Sequence, residues 1–115
     1  MAKNDMDEIA YKILKYLYEK MKTGNPCRLE DFCWESQLFT IPKLYWKNII
    51  QELLDNEFIK GITIVSSIDG EISFVLNDPS ITLKGCEYLK DNSRMKKVEK
   101  YLGKPFEILI DNLIR

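Results

Sequence analysis

Residues 40–89 read TIPKLYWKNIIQELLDNEFIKGITIVSSIDGEISFVLNDPSITLKGCEYL, and four local signals follow one another within them. Thr40-Ile41-Pro42 opens an amphipathic helix that carries Tyr45, Ile49, Ile50, Leu53 and Leu54 at three- and four-residue spacing. Phe58-Ile59-Lys60-Gly61-Ile62 leads it into an extended run. Asp69-Gly70 turns that run back on itself, and Ile81-Thr82 starts another helix. Helix, two-stranded wing, helix is the order of a winged helix. The sequence therefore predicts an α+β fold: a three-helix helix-turn-helix core, a β-hairpin wing and additional C-terminal helices.

Outward from this stretch, Asp5 and Glu8 stand at capping-box spacing. Met6, Ile9, Ala10, Ile13, Leu14, Leu17 and Met21 then give a first helix with a broad apolar face, which Gly24 and Pro26 end. A shorter second helix is expected from Leu29 to about Leu38, burying Leu29, Phe32, Cys33 and Trp34. The third helix should begin near Pro42 and end at Asp55 or Asn56, with Asn56 taking the left-handed cap. Beyond the hairpin, Asn77-Asp78-Pro79-Ser80 reads as a loop, and Thr82 caps the next helix with Ile81 and Cys86 as a staple. That helix pauses at Asp91-Asn92-Ser93, resumes through Met95, Val98, Tyr101 and Leu102, and breaks again at Gly103 and Pro105. The division is a winged-helix domain over residues 1–92 and a helical extension over 93–115.

The hairpin register follows from its turn. With Asp69-Gly70 at the centre of a two-residue type I′ turn, Ile68 lies opposite Glu71, Ser67 opposite Ile72, Val65 opposite Phe74 and Thr63 opposite Leu76. Val65, Ile72, Phe74 and Leu76 then face the core, while Ile64, Ser66, Ser73 and Val75 are partly exposed. A slip of one residue reverses the faces.

Composition bounds the function. A chain of 115 residues with 45% hydrophobic residues suits one globular domain. Its formal net charge of -1 gives no overall basic footprint. The charge is unevenly placed, however: Ile81–Lys100 holds six Lys/Arg against three Asp/Glu, whereas Gly61–Ser80 holds three acids and no base. The polar start, Met1 to Asp5, is followed by no apolar h-region, and no run approaches the ~20 apolar residues that span a bilayer. Cys27, Cys33 and Cys86 form no Cys-x-x-Cys pair, so reduced thiols in a cytoplasmic protein are expected.

With Phe58-Ile59-Lys60-Gly61-Ile62 and the run from Pro79 to Asn92 in place, the chain resembles the YjcQ-like family of small winged-helix proteins from bacteria and their phages. The segment Ile81-Thr82-Leu83-Lys84-Gly85-Cys86-Glu87-Tyr88-Leu89-Lys90-Asp91-Asn92 is similar to that family's L-T-x-K-G-x-x-Y-L-K-x-N pattern. The likeness runs from about Asp7 to Asn92. It departs at Glu57, where many such domains have glycine before the apolar pair that opens the wing. The resemblance implies a winged-helix fold, a DNA-binding or regulatory role of phage or prophage derivation, and no catalytic residues.

Chemistry points the same way. With no histidine, the usual general base and the Ser-His and Cys-His pairs are missing, and a structural zinc site lacks its customary ligands. Neither an enzyme, a metal nor a cofactor is expected. For duplex DNA, Lys43, Lys47 and Gln51 fall along one stripe of the third helix with Asn48 beside it; Lys suits phosphate or guanine, and Asn and Gln suit adenine. Glu52, Asp55, Asp69 and Glu71 oppose that reading by repelling phosphate. Arg94, Lys96, Lys97 and Lys100 form a second basic cluster that could contact the DNA backbone. Phe106, Leu109, Ile110, Leu113 and Ile114 give an apolar stripe expected to form a homodimer interface, with packing on the first helix as the alternative. A winged-helix module that binds protein rather than DNA is the rival function.

Overall fold

Asp5 starts the first helix by accepting a hydrogen bond from the Glu8 N–H at 2.8 Å, and the Glu8 carboxylate reaches back to the Asn4 N–H at 3.2 Å. From there the computed structural model, which describes residues 3–114, runs α1 (Met6–Thr23), α2 (Leu29–Phe32), α3 (Lys43–Asp55), β1 (Ile59–Ser66), β2 (Ile72–Ile81), α4 (Leu83–Asp91) and α5 (Ser93–Ile114). This is a winged helix: helices, a two-stranded antiparallel hairpin, then further helices. The core collects one face of each helix. Ile9, Ile13, Leu14 and Leu17 of α1 meet Trp46, Ile49, Ile50 and Leu53 of α3, Ile59, Ile62 and Ile81 of the hairpin, and Leu89, Met95 and Val98 of α4 and α5.

The second helix is one turn long, not the ten residues expected. After Phe32 the backbone turns extended at Cys33 (φ -74°, ψ -178°). Glu35 and Thr40 form an isolated bridge, the Ser36 N–H donates to the Phe39 carbonyl, and the Ile41 N–H donates to the Trp34 carbonyl. This irregular loop buries Leu38, Phe39 and Ile41 while leaving Leu29, Cys33 and Trp34 half-buried. Tertiary hydrogen bonds hold it: Lys12 Nζ donates to the Leu38 carbonyl, Trp46 Nε1 to the Phe32 carbonyl, and the Tyr16 hydroxyl to Asp31.

α3 starts and stops as expected, with Pro42 at its N-cap and Asn56 at its C-cap. The left-handed residue is not Asn56 (φ -83°) but Glu57 (φ +61°). The position where glycine is common therefore keeps its conformation here with a side chain, at the roughly 1–2 kcal/mol that such a residue costs.

The wing is paired one residue away from the expected register: Ser66 faces Ile72, Ile64 faces Phe74 and Ile62 faces Leu76. Its loop has three residues, Ile68-Asp69-Gly70. The Gly70 N–H donates to the Ser67 carbonyl, the Ser67 N–H donates to the Glu71 carbonyl, and Gly70 is left-handed at φ +87°. That pattern is the turn-plus-bulge alternative to the two-residue loop. The Asp69 carboxylate selects it by accepting from the Ser67 hydroxyl and from the Glu71 N–H, and the same bonds hold its carboxyl below the usual range. Ile72, Phe74 and Leu76 keep their inward face, but Ile64 takes the place assigned to Val65, which is 41% exposed.

Asn77-Asp78-Pro79, expected as loop, instead bulges within β2, because Gly61 alone faces these three residues between the Lys60–Ser80 and Ile62–Leu76 pairs. Gly61 sits at φ +85°, and a Cβ there would lie 2.7 Å from the carbonyl oxygens of both Asn77 and Asp78. Only glycine fits.

Thr82 caps α4 as expected, accepting from the Gly85 N–H at 2.9 Å, and its hydroxyl donates to the Glu57 carbonyl at 2.6 Å. Thr82→Ala should cost about 1 kcal/mol or somewhat more, while Thr82→Ser retains most of it. Equal urea midpoints for Thr82→Ala and the parent chain would contradict this. Asn92 separates α4 from α5, its side-chain oxygen accepting from the N–H groups of Arg94 and Met95.

At Gly103 (φ +63°, ψ -152°) α5 kinks and returns along α1. Phe106 and Ile110 are buried, with the Phe106 ring 5.8 Å from that of Tyr11, and Leu109, Leu113 and Ile114 are half-buried against the same core. The stripe expected at a dimer interface is thus largely covered within one chain. Ile108, off the stripe, is 58% exposed.

Candidate nucleic-acid interface

The third helix is anchored by its aromatic side. Trp46 is fully buried, and its ring meets Phe32 at 6.2 Å, Trp34 at 5.4 Å and Phe74 of the wing at 4.8 Å. Edge-on aromatic contacts of this kind fix relative orientation as well as adding buried area. The sequence expected Phe32, Trp34 and Phe74 to be buried but did not connect Phe74 with Trp46, a contact made only when the wing packs on α3.

With that side fixed, α3 turns Lys43, Leu44 and Asn48 outward; Leu44 is 59% exposed. The Lys43 ammonium lies 5.0 Å from the Trp34 ring centroid and 5.9 Å from that of Phe74, so it covers the seam between helix and wing. Lys47 is half-buried. Gln51 is engaged along its own helix, where its Nε2 donates to Asp55 Oδ1 at 2.9 Å. Of the four expected base- or phosphate-contacting residues, Lys43 and Asn48 are the most open.

The second basic cluster divides. Arg94 turns toward α1 and α4, with Nη2 donating to the Tyr88 hydroxyl at 3.3 Å and Nη1 3.9 Å from Asp7. There it borders a crevice of about 210 Å³ whose lining includes Ile49, Leu53, Phe58 and Tyr88; the last two rings stack at 4.3 Å. Lys96 and Lys100 lie one turn apart and line an open depression with Lys90, Glu99 and Glu107. Lys97 is exposed on another side of α5.

Lys90 joins this group to a cluster that sequence reading missed. Its ammonium is 4.6 Å from the centroid of Tyr18, and those of Lys22 and Lys15 are 5.1 Å and 5.7 Å from the same ring. The Tyr18 hydroxyl holds Lys90 above the ordinary lysine range. Glu19 balances Lys15 at 3.1 Å and Lys22 at 3.5 Å. Lys15, Tyr18 and Lys22 share one helical stripe, a signal visible in the sequence.

Other chemistry is sparse. The three cysteines are free and half-buried, and burial pushes the Cys27 thiol up to about 11. No group of three His, Cys, Asp or Glu side chains capable of holding a metal ion occurs among the described residues. Among them, too, no helix is long and apolar enough to cross a membrane.

Comparison with known proteins gives a single finding. No curated protein and no solved structure matches the chain. A family sequence model described as "YjcQ protein" matches residues 11–104, from within α1 to the kink in α5. Coverage on that scale settles membership: the chain belongs to the YjcQ family.

Proposed function

We propose that this YjcQ-family protein is a small cytoplasmic DNA-binding regulator that acts by binding rather than by catalysis. One observation carries the reading: the first turns of α3, with Lys43, Leu44 and Asn48 outward, stand beside the turn end of the wing, where Lys43 shares a groove with Ser67, Ile72 and Phe74. Residues near the start of a recognition helix are the ones that reach base edges when such a helix enters the major groove. Lys43 and Asn48 have the donor and acceptor groups for phosphate, guanine or adenine.

A protein-binding reading has its own observation. Residues 29–80 hold three Lys/Arg against nine Asp/Glu, and this half of the chain also exposes Leu44 and Val75. An acidic surface with apolar side chains suits a basic protein partner better than phosphate.

Titration with pooled random duplexes at several salt concentrations separates the two. A DNA-binding protein gives log K falling linearly with log salt, and Lys43→Ala with Lys47→Ala should reduce the slope by about 0.9 for each phosphate that is no longer neutralised. Absence of duplex binding at low salt would remove the DNA reading and leave the protein-binding one.

A further inference from the structure

The charge of this chain is segregated between halves of the fold. The stretch with α2, α3 and most of the wing, residues 29–80, has a net charge of -6. Helices α1, α4 and α5 (residues 6–23 and 83–114) hold eleven Lys/Arg against eight Asp/Glu, a net of +3, and the excess is concentrated in residues 15–22 and 83–104, which hold ten against four. A polyanion samples this field before it makes any contact, and the acidic half repels it.

Within the basic half, the side chains converge. Lys15, Lys22 and Lys90 ring Tyr18, and Lys90 continues into the depression of about 520 Å³ that it lines with Lys96 and Lys100. Three different helices supply these five ammonium groups, so the cluster is a product of the packing of α4 and α5 on α1. Carboxylates are present too: Glu19 between Lys15 and Lys22, and Glu99 and Glu107 at the depression. They leave Lys90, Lys96 and Lys100 with no ion-pair partner within 4 Å among the described residues.

We infer that the α1–α4–α5 lysine face, centred on Lys90, Lys96 and Lys100, holds the phosphate backbone of duplex DNA. The face gives affinity without sequence information, as lysine contacts to phosphate do, and leaves α3 to discriminate sequence. This inference rests on the DNA-binding reading and relocates most of its electrostatic contact away from α3 and the wing.

The test compares two triple variants with the same change in net charge, using pooled random duplexes across a salt series. Lys90→Gln with Lys96→Gln and Lys100→Gln should reduce the salt slope by about 2.7 and weaken binding at 0.1 M salt on the order of 100-fold. Lys43→Gln with Lys47→Gln and Lys60→Gln should change both by less, with a slope reduction of about 0.9 for each phosphate that Lys43 or Lys47 contacts. All three lysines of the first set are exposed, and circular dichroism checks that each variant folds. Equal losses in the two variants, or a larger loss in the second, would overturn the lysine face while keeping DNA binding. An unaltered chain that binds no duplex at low salt would overturn both.

Discussion

Trp46→Ala is expected to remove about 3–5 kcal/mol of stability, the cost of deleting a fully buried aromatic side chain. A domain of this size has roughly 5–15 kcal/mol in total, so the variant should be partly unfolded at physiological temperature. Trp46 is fully buried and stands where α3, the one-turn α2 and the wing meet. Its indole Nε1 also gives the Phe32 carbonyl a hydrogen bond of 2.8 Å, at the end of the one-turn α2, where little regular structure holds the chain. Trp46→Phe separates the two contributions, because it retains much of the ring packing but leaves the carbonyl without that donor, at about 1–3 kcal/mol. Urea titration followed by circular dichroism should rank the parent above Trp46→Phe, and Trp46→Phe above Trp46→Ala. A Trp46→Ala chain within about 1 kcal/mol of the parent would mean that this junction is not part of the cooperative core.

The same junction shows why some of the fold could be read in advance and some could not. Capping residues act over three or four positions, so Asp5 and Thr82 announced the starts of α1 and α4 in the sequence itself, while Asp91-Asn92-Ser93 showed only as a pause before α5. The helical faces of α1 and α3 were legible for the same reason. The hairpin register was not, because Ile64-Val65 and Phe74-Val75 are adjacent apolar pairs, and alternation cannot say which member faces in. The decision fell to the Asp69 carboxylate, whose bonds to Ser67 and Glu71 favour the three-residue loop. The region from Phe32 to Leu38 misled in a different way: its apolar residues satisfy helical spacing, yet donors from α1 and α3 claim the Leu38 and Phe32 carbonyls.

The candidate site divides along similar lines. Lys15, Tyr18 and Lys22 are neighbours on one helix and needed no tertiary information. Lys90 reaches them only because α4 docks on α1, which no local pattern states. Likewise the stripe of Phe106 and Ile110 was visible as an apolar face, which the sequence reading assigned to a second chain with α1 as the alternative. The kink at Gly103 turns it onto α1.

Gly85→Ala should be among the most damaging single-methyl changes in the chain. A Cβ at this position would lie 2.1 Å from the Phe58 carbonyl oxygen and 2.7 Å from Ile81 Cγ1. Neither neighbour can retreat cheaply. The Phe58 carbonyl accepts from the Thr82 N–H at 3.0 Å, so moving it strains the cap of α4, and Ile81 is itself buried and paired with Ile59. Inserting a methyl group into such a site costs typically 1–3 kcal/mol and more where backbone must shift, and about 3 kcal/mol is expected here. For a domain of this length the melting temperature should fall on the order of 10–20 °C. Gly70→Ala is the control. It meets nothing within 4 Å and carries only the strain of its left-handed backbone, about 1 kcal/mol. Since Gly85 lets α4 lie directly on the joint between α3 and β1, its substitution should also disturb how the wing is held against α3. Thermal melts of both variants decide the matter: a Gly85→Ala chain no less stable than Gly70→Ala would show that α4 does not rest on the Phe58 carbonyl.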